Sequence, residues 1–308
     1  MLELPASAVL PRGFFIFAVV AVFIISLLGS TCDVYLFYKF VTRNTKPSGF
    51  QKLCTIKSIT NFIICSSFLF WVVPVTSLSY TFSQVNPIAN RFISILAATS
   101  AYFMNSFISI CMSCNRFYAL FFPFGVHSLR GVPATNWALI ISFLIVMGFS
   151  FFMAQDGCAC LYDPNTFVWK GEEHACSDML LLYIPLFVVG ATVVTNSFNV
   201  ACIVRLLLMN KMTGMNVEES RKRRKRWMVM FVQSVTQDCL QLADIISSYQ
   251  FWDLYDYLWW QFLTVTLSFL SVTAIDGFVM FICQSDVHPK WLKRITKSRS
   301  NSVPNNTL

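Results

Sequence analysis

The sequence predicts an all-α membrane protein, a bundle of seven transmembrane helices with its N-terminus outside the cell and its C-terminus in the cytoplasm. Three observations support this prediction. Of the 308 residues, 56% are hydrophobic and 12% are charged, and the mean hydropathy is +0.60, which exceeds what a soluble domain carries. Seven apolar stretches are long enough to cross a bilayer. The basic residues are concentrated in alternate loops.

A spanning helix needs about 20 mainly apolar residues. The predicted spans are Gly13–Phe40, Ser58–Tyr80, Phe92–Phe122, Trp137–Met153, Met179–Leu208, Trp227–Ser248 and Leu258–Cys283. We therefore divide the chain into an extracellular N-terminus (1–12), a transmembrane domain (13–283) and a cytoplasmic tail (284–308). In the tail, Trp291, Leu292 and Ile295 fall on one face of a short amphipathic helix that is expected to lie on the membrane.

The orientation follows from Lys and Arg, which cytoplasmic loops retain. Twenty of the 23 basic residues fall on one side of the predicted bundle, including Lys57 before the second span and the run Arg221–Arg226 before the sixth. Only Arg12, Arg91 and Lys170 are left for the opposite side. An odd number of crossings with the N-terminus outside places every basic loop in the cytoplasm.

Four acidic residues lie within predicted spans, and each costs roughly 2.5–3.5 kcal/mol to insert at the bilayer centre. They should therefore face the bundle interior and pair with polar neighbours. In the sixth span, Gln233, Gln237 and Gln241 recur every four residues and form a stripe along one helix face. The expected interior polar network, which either joins helices or forms a sodium-type pocket, consists of Asp33, Asn61, Gln233, Gln237, Asp238 and Asp276.

Ligand contacts are expected from polar and aromatic side chains in the outer halves of spans 3, 5, 6 and 7. These candidates are Tyr102, Asn105, Tyr183, Gln241, Asp244 and Thr264. Aromatic residues at span ends, such as Trp260, more often anchor a helix at the membrane interface than contact a ligand.

Several other functions are disfavoured by the positions of their essential residues. The three histidines, His127, His174 and His288, lie in loops on different sides, which argues against a zinc hydrolase and against any metal site. The seventh span has no Lys for a retinal Schiff base. The basic residues lack the interleaved aromatics of a nucleic-acid surface. We therefore expect no enzymatic activity, no cofactor and no nucleic-acid partner.

The third span ends in Asn115-Arg116-Phe117, which resembles the Asp/Glu-Arg-Tyr triplet of rhodopsin-like G-protein-coupled receptors. In those receptors the Arg restrains the inactive bundle and meets the G protein when the sixth helix moves outward. Asn115 replaces the acid here, so no adjacent ion pair can restrain Arg116. The resemblance implies that the residues that couple to the G protein are Asn115, Arg116, Phe117 and Arg205.

The long outer loop indicates which family of such receptors the chain resembles. It contains the run Gly157-Cys158-Ala159-Cys160-Leu161-Tyr162-Asp163-Pro164, followed by Trp169 and Cys176. This pattern is similar to the second extracellular loop of nematode serpentine receptors of class X, and further matching motifs extend over most of residues 13–283. The family implies a chemosensory receptor in the plasma or ciliary membrane of sensory cells. Its implied partners are an external small-molecule ligand, a heterotrimeric G protein and the lipid bilayer.

Rhodopsin-like receptors usually join the top of the third span to this loop by a disulfide, but residues 83–100 contain no Cys. The bridge must then form within the loop, in the oxidising lumen. Cys176 pairs with Cys158 in the favoured assignment and with Cys160 in the alternative.

A transporter or ligand-gated channel is the competing hypothesis, since four buried acids and a glutamine stripe are also suited to line an ion path.

Overall fold

The computed structural model describes residues 12–42, 48–78, 81–122, 128–129, 132–172, 175–209, 217–255, 257–284 and 287–289. Its long helices are α1 (Arg12–Val41), α2 (Gly49–Ser77), α3 (Pro87–Phe121), α4 (Ala134–Met153), α5 (Ala175–Met209), α6 (Val217–Ile246) and α7 (Leu258–Cys283). Six of the seven have the length and apolar composition of a membrane span. The exception is α6, whose polar stripe and basic first turns lower its hydropathy.

The second helix begins earlier than hydropathy predicted. Ser48 caps it by accepting a hydrogen bond from the backbone N–H of Gln51, and the Gln51 side chain accepts one from the backbone N–H of Ser48. This capping box starts α2 at Gly49, so Lys57 lies two turns inside the helix with 3% of its surface exposed. The prediction that Lys57 belongs to the first loop was therefore wrong. The first turns of α2 are polar, so hydropathy alone places the start of the span too late.

Within the described residues, four helices contain or end in a π-helical stretch. These stretches are Phe68–Val72 in α2, Ile95–Ala101 in α3, Ser247–Phe251 directly after α6 and Phe262–Leu267 in α7. A π turn rotates the side chains beyond it relative to a regular α-helix, and such turns are frequent at functional sites. All four lie in the outer halves of their helices.

The helices pack around α3. Helix α1 packs against α2 and α7, whereas α3 contacts α2, α4, α5 and α6. One apolar cluster fills the outer part of the bundle and a second fills the inner part, where it includes Leu36, Leu53, Ile108, Met112 and Met280. Large apolar side chains on the outward faces of α1, α4 and α5 stay exposed, as expected for helices that contact lipid.

Two short antiparallel hairpins complete the described chain. Strands β1 (Ser128–Leu129) and β2 (Val132–Pro133) pair before α4. Strands β3 (Cys160–Asp163) and β4 (Val168–Gly171) pair in the long outer loop, with Tyr162 opposite Trp169. The predicted amphipathic helix of the tail lies outside the described residues.

Candidate functional site

An outer polar cluster joins α3, α6 and α7. The Tyr102 hydroxyl donates a hydrogen bond to Asp244 Oδ2 at 3.5 Å, and Ser268 Oγ donates to Asp244 Oδ1 at 3.1 Å. One turn inward, Gln241 Nε2 donates to Ser106 Oγ at 2.5 Å. Asp244 is buried, with 3% of its surface exposed. Three of the predicted ligand residues, Tyr102, Gln241 and Asp244, therefore lie together.

The other three predicted ligand residues lie apart from this cluster. Thr264 Oγ1 donates to the carbonyl of Trp260 within α7, while its own carbonyl accepts a hydrogen bond from Ser248. Tyr183 lies on the outward face of α5, where 54% of its surface is exposed. Asn105 belongs to a deeper network between α2, α3 and α7.

That deeper network is organised by a buried ion pair. The ammonium of Lys57 lies 3.2 Å from Asp276 Oδ1 and also donates to Ser109 Oγ at 3.2 Å. Asn61 Nδ2 donates to Asp276 Oδ2 at 2.7 Å, and Asn105 Nδ2 donates to Asn61 Oδ1 at 2.8 Å. The network thus contains Asn61 and Asp276, two of the six residues of the expected interior polar network, together with Lys57, which sequence reasoning missed. The available signal was its spacing of four residues from Asn61.

Asp33 borders this network without entering its hydrogen bonds. Its side chain is fully buried, and neither carboxyl oxygen has a hydrogen-bond partner among the described residues. It packs against Gly277 so closely that a Cβ on Gly277 would approach Asp33 Oδ1 to 2.7 Å. A side chain at position 277 would therefore force the Asp33 carboxyl group to move.

The polar stripe of α6 faces the interior. Asp238 accepts a hydrogen bond from Asn199 Nδ2 on α5 at 3.1 Å. Gln233 Nε2 donates to Gln237 at 3.4 Å, and Gln284 donates to Gln233 Oε1 at 3.3 Å. These contacts connect the middle of α6 to α5 and to the end of α7.

Arg116 is buried at the inner end of α3, with 3% of its surface exposed. No guanidinium nitrogen has a hydrogen-bond partner among the described residues. It makes a cation–π interaction, in which the guanidinium carbon lies 4.9 Å from the centroid of the Phe50 ring on α2. Sequence reasoning did not anticipate Phe50, because nothing in the order of residues indicates which ring of another helix lies under Arg116.

The other predicted coupling residues surround Arg116 at the same end of the bundle. The ring of Phe117 packs on Phe121 at 4.3 Å and on Phe198 of α5 at 5.2 Å. Arg205 is exposed on α5 and lies 5.7 Å from the Phe121 ring centroid. Asn115 is partly buried near the start of α2.

The outer loop is bridged by a disulfide between Cys158 and Cys176, with 5.1 Å between their Cα atoms. The favoured pairing is thus confirmed, and the alternative through Cys160 is not formed, because Cys160 is a free thiol in β3. Burial, and to a smaller extent the nearby carboxylate of Glu172, together raise the pKa of the Cys160 thiol to about 11. This thiol stays protonated at neutral pH.

The β3–β4 hairpin is inserted into the outer end of the bundle. Tyr162 is fully buried and shares a hydrogen bond of 2.7 Å with Thr76 of α2. The amide group of Asn90 on α3 pairs with the Tyr162 backbone, donating to its carbonyl at 2.9 Å and accepting from its N–H at 3.3 Å. Phe167 has a positive φ of 61°, and its ring packs between Phe15 of α1 and Phe262 of α7.

Ionic contacts hold the rim of this hairpin. Arg91 of α3 pairs with Asp156 and with Glu172, the latter at 2.5 Å. Within the hairpin, Lys170 pairs with Asp163 at 2.9 Å. Arg91 and Lys170 are two of the three basic residues assigned to the outer side. Both therefore pair with acidic residues of the outer loop.

Three comparisons with known proteins bear on this arrangement. Residues 23–284 match the family model described as "Serpentine type 7TM GPCR chemoreceptor Srx". The chain is 21% identical over 283 residues to Serpentine receptor class X 45 of Caenorhabditis elegans. The aligned region covers 86% of this chain and 78% of that protein. It also superposes on the crystal structure of squid rhodopsin with a TM-score of 0.69 and 12% identity, covering 97% of this chain and 89% of rhodopsin.

Proposed function

The chain belongs to the Srx family of serpentine, seven-transmembrane G-protein-coupled chemoreceptors, and we propose that it transmits the binding of an external small molecule to a cytoplasmic heterotrimeric G protein. It is a multi-pass membrane protein with the seven-helix fold of rhodopsin. The family is one of receptors rather than of enzymes, and its match does not favour the transporter or channel hypothesis.

The burial of Arg116 is the observation that carries the proposal. Its guanidinium group lies at the inner end of the bundle, over the Phe50 ring and without a hydrogen-bond partner among the described residues. A charged donor in such a position is poorly satisfied, so a second state that offers it carbonyl oxygens is favoured. We propose that the C-terminal helix of a G protein supplies these oxygens once α6 has moved outward.

The sixth helix is the element that would connect ligand and G protein. Its outer half carries Gln241 and Asp244, which bond α3 and α7, and its middle carries Asp238, which bonds α5. A ligand that competes for the contacts of Asp244 changes the relative stability of two α6 positions. We propose that Tyr102, Gln241 and Asp244 sense the ligand, with Asn105, Tyr183 and Thr264 as further candidate contacts outside this cluster.

We also propose an extracellular N-terminus and a plasma or ciliary membrane location in sensory cells. The disulfide between Cys158 and Cys176 supports this orientation, because such bridges form in the oxidising lumen that becomes the cell exterior. Arg116 lies at the opposite end of α3 from Asn90, which contacts the disulfide-bridged loop, so the orientation directs Arg116 to the cytoplasm.

The test is an Arg116→Ala variant in cells that carry a promiscuous G-protein reporter, screened with small metabolites. We expect the agonist response to be lost while surface level and agonist binding stay normal, because Arg116 makes its productive contacts only in the active state. Lys222→Ala, which removes one of six consecutive basic residues, is the control and should respond normally. A wild-type response from Arg116→Ala would make Arg116 only a topology anchor and remove the main support for coupling.

A further inference from the structure

An apolar cavity of about 200 Å³ lies between α3, α4 and α5. Phe103 and Phe107 of α3 form its floor, and residues of α4 and α5 form its walls, namely Ile145, Val146, Phe149, Tyr183, Ile184 and Phe187. Ile145 and Tyr183 are half exposed, at 49% and 54%. The cavity therefore opens sideways toward the lipid rather than toward the outer solvent.

The outer end of the bundle offers a poor entrance by comparison. The β3–β4 hairpin places Tyr162 and Phe167 among α1, α2, α3 and α7, where 0% and 4% of their surfaces are exposed. Hydrogen bonds with Thr76, Asn90 and Thr266 fix both residues to the helices. A molecule arriving from water would have to displace this hairpin, whereas one dissolved in the bilayer meets an existing opening.

We propose that this cavity binds an uncharged, compact molecule with a single aromatic or aliphatic ring that enters from the lipid. The lining residues provide no charge and one hydroxyl, on Tyr183, so a polar or ionic ligand would lose its hydration without compensation. A dry cavity of about 150 Å³ lined by similar side chains holds one benzene ring. A cavity of about 200 Å³ accordingly suits one ring with a short substituent, and it is too small for a whole lipid chain.

The aromatic lining supports a ring as the occupant. Phe103 packs on Phe149 at 4.6 Å and on Phe187 at 5.3 Å, both in tilted geometry, and Phe107 packs on Phe187 at 5.3 Å. Rings in such clusters accept a further ring edge to face or offset. A flexible acyl chain gains none of these directional contacts and loses more conformational entropy on binding.

The cavity also has a short physical connection to α6. Tyr102 directly precedes Phe103 in α3; its ring lies 6.2 Å from that of Phe103, and its hydroxyl donates a hydrogen bond to Asp244. A ligand that shifts Phe103 therefore disturbs a contact between α3 and α6. This signalling consequence rests on the proposed receptor function, whereas binding at the cavity does not.

The binding test uses the full chain in lipid nanodiscs and the photoreactive probe 3-phenyl-3-(trifluoromethyl)diazirine, with labelled residues identified by mass spectrometry. We expect labelling of the segment from Tyr183 to Phe187 to saturate and to fall about tenfold under excess ethylbenzene. Labelling at Phe151, a residue of α4 that is 74% exposed, should rise linearly with probe and resist competition. If labelling rises linearly and resists competition both at the segment from Tyr183 to Phe187 and at Phe151, the probe only partitions into the lipid. That result would overturn the proposal.

Two neighbouring variants give a matched control. Ile145→Trp puts a large ring at the mouth of the cavity and should reduce its saturable labelling about tenfold. Leu144→Trp adds the same ring one residue away, at a position that is 63% exposed and does not line the cavity, and should leave labelling unchanged. Equal effects of both variants would contradict the assignment. Saturable binding in a chain that fails to activate any G protein would refute the proposed function and leave this site intact.

Discussion

Arg116 and Phe50 illustrate how a single contact replaces a missing ion pair. With Asn115 beside it, Arg116 has no adjacent carboxylate, and the structure stacks its guanidinium group on an aromatic ring of α2. A desolvated cation–π contact is worth about 2 kcal/mol. That magnitude is sufficient to bias the equilibrium between two receptor states by more than tenfold.

Replacing Phe50 should therefore raise basal signalling. We expect Phe50→Leu, which keeps apolar bulk but loses the ring, to increase ligand-independent reporter activity by several-fold to about tenfold at equal surface level. Phe50→Tyr keeps the ring face and should stay near wild type. If Phe50→Leu is as quiet as Phe50→Tyr, the ring does not restrain Arg116.

The buried pair of Lys57 and Asp276 should matter for stability. Lys57→Met leaves Asp276 buried without its ammonium partner, a change that typically costs 3–5 kcal/mol, so we expect low surface delivery and a lower melting temperature in detergent. The double variant with Asp276→Asn removes both charges and should recover most of the loss.

Asp33→Asn is the matched comparison for that pair. Because the Asp33 carboxyl has no hydrogen-bond partner among the described residues, replacing it with an amide should be neutral or stabilising in the same melting assay. A loss as large as that of Lys57→Met would show that Asp33 has an essential charge partner.

Among the elements, the β3–β4 hairpin depends on both a covalent and a packed anchor. The disulfide from Cys158 to Cys176 closes a loop with a sequence separation of 18 residues, and loops of this size gain about 3 kcal/mol from their bridge. Tyr162 and Phe167 add the packed anchor among the helices.

Cys176→Ser should therefore loosen the hairpin and reduce surface delivery, whereas Cys160→Ser should not. Mass spectrometry under non-reducing conditions should find Cys158 joined to Cys176 and Cys160 as a free thiol. Because the pKa of Cys160 is raised to about 11, this thiol should also react slowly with maleimide at pH 7. Finding Cys176 free in mature surface protein would contradict the role of the bridge.

For the whole molecule, the orientation is the prediction with the widest consequences. An antibody should reach an N-terminal epitope tag in intact cells and a tag after Leu308 only after permeabilisation, because basic residues are retained in the cytoplasm. Because Lys57 is buried within α2, it no longer counts as a cytoplasmic loop residue. Most of the basic residues still fall on the cytoplasmic side. The reverse staining would contradict both the orientation and G-protein coupling.

Much of the architecture was already determined by the sequence. Apolar length and the distribution of charge are properties of single segments, so they predict the membrane location and seven helices without any knowledge of packing. The Asn115-Arg116-Phe117 triplet and the outer loop likewise predicted the family and a bridge from Cys176 within the loop, with Cys158 favoured over Cys160 as the partner. The polar stripe of α6 predicted which of its faces would be buried.

Only the tertiary structure decided which side chains meet. The pairing of Lys57 with Asp276, the stacking of Arg116 on Phe50 and the placement of Asn105 beside Asn61 each depend on the rotation of one helix relative to another. The π-helical stretches change that rotation in the outer halves, and no periodic pattern in the chain reveals them. Contacts between helices are fixed by packing across the bundle, whereas the sequence alone specifies each helix by itself.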